Sequence, residues 1–378
     1  MKILLTGGGT GGHFYPTIAV AQAIREVALE RKILSPNLYY AAPNKYNPRA
    51  LFDNEIEFIG VPAGKVRRYF SLLNITDAIK TFFGCFKAVF NMYSLYPDVI
   101  FGKGGYASFP ILFAAKVLRI PVVIHESDSK PGRVNMWAGK FAKKIALSYP
   151  DAAKYFKVKD QSKIAYTGNP IRKEIREPLT NGAREFLGLE DDTPVVLILG
   201  GSQGAQVIND AVLGGLPEIL DKFEVIHQTG KNNLEEIKQT TSVMLNDHEH
   251  KNRYHPFDYL NELALRMSAG VANVVVSRAG STIFEIAAWG VPSIIIPLPQ
   301  SISHDQTTNA FAYVRTGAGS IIEQDNLSAH ILLGEINRIY DSPKISELMR
   351  ERAKAFARLD SANIIANALL DIALEHEK

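Results

Sequence analysis

Short apolar runs alternate with helical patterns along the chain. In the first half the runs are Ile3–Leu5, Leu38–Ala41, Phe58–Val61, Val99–Phe101, Val122–His125 and Lys144–Leu147. This is the layout of a parallel, doubly wound sheet. The pattern pauses at Thr167-Gly168-Asn169-Pro170, and a charged stretch runs on to Pro178. It then restarts with Val195–Leu199, Glu224–Gln228, Val274–Ser277 and Ser293–Pro297. The expectation is an α/β protein of two Rossmann-like domains, residues 1–168 and 169–378. Their ligands would lie in a cleft where the carboxyl ends of both parallel sheets face each other. An amphipathic helix from about Ser342 to Glu375 is expected to pack back on the first domain.

Each half opens with a strand, a glycine loop and a helix start. In the first, Ile3-Leu4-Leu5 runs into Gly7-Gly8-Gly9-Thr10-Gly11-Gly12 and then His13. Glycine lets the backbone turn with positive φ and approach a phosphate, while the helix N-terminus favours an anion. Gly7, Gly9 and Gly12 also fit the dinucleotide pattern G-x-G-x-x-G, a weak signal alone. The second strand runs into Pro43-Asn44-Lys45 with no carboxylate to hold a ribose, so the NAD reading lacks its second anchor. In the second half, Gly200-Gly201-Ser202-Gln203-Gly204-Ala205 breaks the same pattern at Ser202.

Composition narrows the setting. A chain of 378 residues, 46% hydrophobic, is ample for two packed domains. One cysteine, Cys85, excludes an internal disulfide framework and a cysteine-based zinc site. No apolar run approaches the roughly 20 residues of a spanning helix, and the reading expects no signal peptide. Net charge is +3, divided as +12 over residues 1–168 and −9 over residues 169–378. The first half therefore suits an anionic partner: a phosphorylated substrate or an acidic membrane surface. No nucleic-acid-binding motif accompanies the basic residues, so nucleic acid ranks last.

Six motifs occur in order: Gly7–His13, Gly102-Lys103-Gly104-Gly105-Tyr106, His125-Glu126, Gly168-Asn169-Pro170-Ile171-Arg172, Gly200–Ala205 and Ser277–Glu285. Together they closely resemble the MurG family of bacterial peptidoglycan glycosyltransferases (glycosyltransferase family 28). The resemblance spans nearly the whole chain. It implies a GT-B fold and an inverting transfer of N-acetylglucosamine from UDP-GlcNAc to the muramoyl 4-hydroxyl of lipid I, giving lipid II. It also implies a peripheral enzyme on the cytoplasmic face of the membrane, with no cofactor and with cell-wall synthesis proteins as partners. Two places depart from the pattern: Asp128 stands where some members carry Asn, and the loop before Glu285 is one residue shorter.

The resemblance assigns the acceptor side to Gly104, Gly105, Tyr106, His125 and Glu126, with the loop at 102–106 cradling the lipid-linked pyrophosphate. It assigns the donor side to Thr10, Gly11, Gly12, Asp128, Arg172, Ser202, Gln203, Gly204, Arg278, Gly280, Ser281, Thr282, Glu285 and Gln306. His13 is the candidate base. Its ordinary pKa near 6.5 suits proton removal from the attacking hydroxyl at neutral pH. His125, Glu126 and Asp128 are alternatives for that role.

Several of these residues have plainer readings. Thr282 and Glu285 spell S/T-x-x-E, the capping-box signature, which needs no ligand. Gln306 fits a polar helix start, and Arg172 a solvated hinge. His248, Glu249, His250 and His255 look like a metal cluster but fall in a polar stretch, so no metal site is expected. Leu72, Leu73, Ile75, Ile79, Phe82, Phe83, Phe86, Val89 and Phe90 recur at helical spacing, usually the mark of a core-facing helix. With Lys65, Arg67 and Arg68 ahead of them, they read here as an apolar patch rimmed by cations, suited to an anionic membrane. Two rival functions remain: a transferase acting on diacylglycerol or another small lipid, and a nucleotide-binding module without activity.

Overall fold

The computed structural model describes residues 1–65, 73–201 and 204–377. Arg67, Arg68, Ser202 and Gln203 therefore lie outside the described residues, as does Leu72. The chain forms two compact units, Met1–Arg172 with Arg358–Lys378, and Lys173–Ala357. The first ends slightly later than Gly168 and takes back the end of the chain.

In the first unit the described strands are β1 (Lys2–Thr6), β2 (Asn37–Ala42), β3 (Ile56–Gly60), β4 (Val99–Gly102), β5 (Val122–Glu126), β6 (Lys144–Leu147) and β7 (Ile164–Tyr166). They make one parallel sheet in the order β3-β2-β1-β4-β5-β6-β7. The order reverses between β1 and β4, and open α/β sheets bind ligands beside such a reversal. Helix Gly11–Glu30 covers one face through Phe14, Ile18, Ile24 and Val27.

The expected C-terminal helix is two helices. Pro343–Phe356 belongs to the second unit, and Ser361–Glu377 to the first. Ala357 turns to an extended conformation (ψ 127°), which ends the earlier helix. The break lets the two apolar faces serve different cores. Ala353 is buried with Tyr313, while Ile365, Leu369 and Leu370 join Ile18 and Ile24. Arg31 and Asp371 add an ion pair at 2.7 Å within the first unit.

The second unit carries β8 (Val195–Leu199), β9 (Glu224–Gln228), β10 (Tyr254–Phe257), β11 (Ala272–Ser277), β12 (Ser293–Ile295) and β13 (Gly319–Ile321). Its parallel order is β10-β9-β8-β11-β12-β13, with the reversal between β8 and β11. Its core gathers Val196, Ile198, Ile208, Val274, Val276 and Ile294. The strands missing from the sequence reading, β7, β10 and β13, all lie at sheet edges.

Candidate active site

The first candidate site stands beyond the carboxyl ends of β1, β4 and β5. Two glycine loops interlock there. The backbone N–H of Lys103 donates to the Thr6 carbonyl at 2.8 Å, tying the end of β4 to the end of β1. Gly9 (φ 93°) and Gly104 (φ 85°) occupy backbone conformations that side chains disfavour. A Cβ on Gly9 would fall 2.7 Å from the Tyr106 ring, and one on Gly104 would fall 2.6 Å from Asn135 Nδ2. The glycines thus make room for side chains of the neighbouring loops.

His13 lies in the first turn of helix Gly11–Glu30 and faces the second loop. Its Nε2 is 3.4 Å from where a Cβ on Gly105 would stand. Its Nδ1 is 2.9 Å from Thr10 Oγ1, and Thr10, at the N-cap position, makes no side-chain cap bond. This pairing decides what the ring can do. Nε2 accepts a proton only if Nδ1 carries one and donates it to Thr10. Burial, and second the Lys103 ammonium, lowers the His13 pKa to about 4. The expected value near 6.5 is corrected accordingly: the ring is neutral at pH 7, and a weaker base than a solvated histidine.

At the end of β5, His125 is fully buried, with Nε2 2.9 Å from the Gly168 carbonyl oxygen and 3.3 Å from Ser148 Oγ. Burial, reinforced by Lys103, holds its pKa well below the ordinary value and keeps it neutral. Glu126, also buried, accepts hydrogen bonds from Asp128 N at 3.0 Å, Gly132 N at 3.0 Å and Asn135 Nδ2 at 2.9 Å. Burial first, and Asp128 second, raises its pKa to about 7. Both side chains shape the loop after β5 from within the protein.

Lys103 was passed over as a site residue. It is 1% exposed, and its Nζ donates to Ser127 Oγ and to Asn169 Oδ1, the latter at 3.4 Å. Asn135 and Tyr40 were missed as well; the Tyr40 hydroxyl donates to the Gly7 carbonyl. Arg172 stacks over the Tyr15 ring at 4.4 Å, within the first unit.

The aromatic stripe does not face a core. In helix Leu73–Leu95 the buried residues are Asp77, Gly84, Ala88 and Met92, whereas Phe82, Phe83 and Phe86 are 59%, 63% and 64% exposed. A Cβ on Gly84 would overlap the Pro62 carbonyl, so the helix seats its small face closely and turns its aromatic face out. Lys65 Nζ stands 5.8 Å from the Tyr106 ring centroid.

The second site stands beyond β8 and β11. Gly204 (φ 76°) would push a Cβ into the Thr229 carbonyl, while among the described residues nothing stands within 4 Å of a Cβ on Gly201 or Gly280. Arg278 donates to the carbonyls of Ile296 and Pro297 at 3.1 and 3.3 Å, and burial lowers its pKa. Gln306 Oε1, in helix His304–Val314, accepts from Leu298 N at 3.2 Å. Arg278 and Gln306 together brace segment 296–298.

The capping-box register is not met. The helix runs Thr282–Trp289 with Ser281 at the N-cap position and no side-chain cap bond from it. Thr282 is then the first helical residue, and Glu285 lies one position past the box glutamate. His255, in β10, pairs with Glu224 at 2.6 Å. Among the described residues no group of three or more His, Cys, Asp or Glu side chains is placed to hold a metal.

Comparison with known proteins decides the family. Residues 3–147 match the glycosyltransferase family 28 N-terminal domain, and residues 195–365 match its C-terminal domain. The chain belongs to glycosyltransferase family 28. A UDP-N-acetylglucosamine–N-acetylmuramyl-(pentapeptide) pyrophosphoryl-undecaprenol N-acetylglucosamine transferase of Clostridium kluyveri is 34% identical over 97% of this chain and 98% of its own. One of the same name from Treponema denticola is 35% identical over 94% and 93%. The crystal structure of Acinetobacter baumannii MurG superposes with a TM-score of 0.73 at 23% identity, covering 98% of this chain and 99% of that one. The fold is thus that of the GT-B members of family 28.

Proposed function

We propose that this protein transfers N-acetylglucosamine from UDP-GlcNAc to the muramoyl 4-hydroxyl of lipid I, forming lipid II in peptidoglycan synthesis. The observation that carries the reading is the 34–35% identity, over nearly full length, to relatives named for that reaction. The first unit takes the acceptor, and the loop at Gly102–Tyr106 meets its pyrophosphate, while Thr10, Gly11 and Gly12 of the first loop serve the donor. The second unit takes the donor. Arg278, Gly280, Ser281 and Thr282 surround a helix start suited to phosphate, Glu285 receives the ribose hydroxyls and Gln306 the sugar. Ser202 and Gln203 complete the donor set.

His13, held by Thr10, takes the proton of the attacking hydroxyl at Nε2 as the oxygen meets the anomeric carbon. The anomeric bond to UDP breaks with inversion, and the diphosphate charge is met by helix N-termini and Arg172. A pKa of about 4 for the free enzyme is compatible with this role, because transfer is concerted with bond formation and the acceptor's own proton becomes acidic as it attacks.

Phe82, Phe83 and Phe86, with Lys65, form the membrane-facing patch of a peripheral enzyme on the cytoplasmic face. Among the described residues no helix is long and apolar enough to cross a membrane. The deciding experiment is incubation of the pure protein with UDP-GlcNAc and a lipid I analogue. An acceptor mass increased by one N-acetylhexosamine supports the reading; an unchanged acceptor with UDP-GlcNAc intact refutes it.

A further inference from the structure

Beneath the second glycine loop lies a chain of buried hydrogen bonds. Asn209, His227 and Thr229 are each fully buried in the second unit, where a polar group without a partner is costly. The Thr229 carbonyl, just past β9, accepts from Asn209 Nδ2 at 3.1 Å and from Asn233 Nδ2 at 2.8 Å. His227 Nε2 stands 3.0 Å from Asn209 Oδ1, and its Nδ1 stands 2.9 Å from the Tyr254 hydroxyl on β10. The chain joins β9, β10, helix Gln206–Gly214 and the N-cap of helix Leu234–Met244.

Each of these bonds has one possible direction. A carbonyl only accepts, so the Asn209 amide turns its NH2 to Thr229 and its oxygen to His227. That oxygen also only accepts, so His227 carries its proton on Nε2. Nδ1 is then bare in the neutral ring, and the Tyr254 hydroxyl donates to it. The opposite tautomer would call for a flipped amide, setting the Asn209 oxygen against the Thr229 carbonyl. Burial lowers the His227 pKa to about 3, which keeps the ring neutral at pH 7, and raises that of Tyr254, which keeps its proton.

The chain ends against the donor loop. A Cβ on Gly204 would overlap the Thr229 carbonyl, and one on Gly200 would fall 3.2 Å from the Gln228 carbonyl. The loop backbone therefore rests on the end of β9. Asn209 lies in the first turn of the helix that the loop opens, and its N–H donates to the Ala205 carbonyl at 2.9 Å. We propose that His227 is a positioning residue for the donor. Through Asn209 it fixes the Thr229 carbonyl and the first turn of helix Gln206–Gly214, and so holds Gly204 where the UDP diphosphate binds. This role rests on the proposed assignment of the donor to the loop; the order of the hydrogen bonds does not.

The test has two arms, both on the full-length protein. Nitrogen-15 NMR, with His227→Gln to assign the resonances, reads the tautomer. At pH 7 His227 should show a bare Nδ1 and a protonated Nε2; a proton on Nδ1, or on both, would overturn the proposal. Calorimetry reads UDP affinity, with KM for UDP-GlcNAc and for a lipid I analogue measured alongside. His227→Leu and Asn209→Ala should each weaken UDP binding about tenfold, the size of one lost hydrogen bond to a charged group. Donor KM should rise with it while acceptor KM stays at the parent value. His227→Gln keeps an N–H for Asn209 and should retain most of the affinity. Parent-like UDP affinity in the folded Leu and Ala variants, or an equal rise in both KM values, would overturn the proposal. If His227→Leu fails to fold, Asn209→Ala and the tautomer of the parent protein decide. A parent protein that binds no UDP would refute the donor reading, and the tautomer would still judge the order of the hydrogen bonds.

Discussion

The two glycine loops look alike in sequence and stand in very different surroundings. Beyond β1, β4 and β5 the first unit buries Lys103, His125 and Glu126 at the ends of two neighbouring strands. Beyond β8 and β11 the second unit offers glycines, hydroxyls and a helix start, with Arg278 turned onto backbone carbonyls. Burial shifts proton affinities in the first and leaves donors for phosphate and sugar in the second. The contrast fits a division of labour: proton chemistry in the first unit, grip on the nucleotide sugar in the second.

The largest effect that would sharpen this contrast is expected at His13. His13→Ala should lower kcat by about 10²–10⁴-fold, the usual contribution of a general base. UDP binding, followed by calorimetry, should barely change. A loss of acceptor affinity with kcat preserved would make His13 a positioning residue and return Asp128 and Glu126 as candidate bases.

Next in size is the donor grip. Glu285→Ala should weaken UDP binding roughly tenfold or more, as expected for a charge-assisted bond of about 1.5–3 kcal/mol, and Glu285→Gln should retain part of the affinity. Because Glu285 is out of register for a capping box, its loss should not remove a helix cap. A large fall in Tm with UDP affinity intact would reverse the assignment.

A smaller effect concerns pH. The His13 pKa is about 4 and that of Glu126 about 7. As pH falls through 7, Glu126 gains a proton and can no longer accept all three of its loop hydrogen bonds. The acid limb of kcat/KM for acceptor should therefore lie near pH 7 and persist, on a lower curve, in His13→Ala. Glu126→Gln should remove it. A limb that vanishes with His13 instead would mean that the histidine titrates near neutrality during turnover.

Outside both sites, Phe82→Ser with Phe83→Ser should weaken binding to anionic vesicles, with little change in Tm or in activity on a short-chain soluble acceptor. Their exposure makes a structural collapse unexpected. Smallest of all should be the effect of chelation. Among the described residues no group of three or more His, Cys, Asp or Glu side chains is placed to hold a metal, so turnover should survive EDTA. Loss restored by Mg²⁺ would point to Glu126 and Asp128.

What could be read from the residues follows from what each residue type announces. Central strands such as Val195–Leu199 are wholly apolar and therefore visible, as are loops where glycine recurs. The edge strands β7, β10 and β13 are short and only partly buried, so Ile164-Ala165-Tyr166 carries no comparable pattern. The break after Phe356 was hidden because both flanking segments are amphipathic and no glycine or proline marks the turn. Lys103 was hidden for a different reason. A lysine between glycines ordinarily points to solvent, and only the approach of Gly7, Ser127 and Asn169 shows that this one does not. Asn135 likewise gains its role only when the fold brings it to Glu126 and Gly104.

The division of labour is tested most directly by combining the two leading substitutions. UDP dissociation constants and kcat should be measured for His13→Ala, Glu285→Ala and the double variant. The account predicts that the double variant has the kcat deficit of His13→Ala and the UDP deficit of Glu285→Ala, each unaltered by the other. A His13→Ala variant that loses UDP affinity as severely as Glu285→Ala would contradict it.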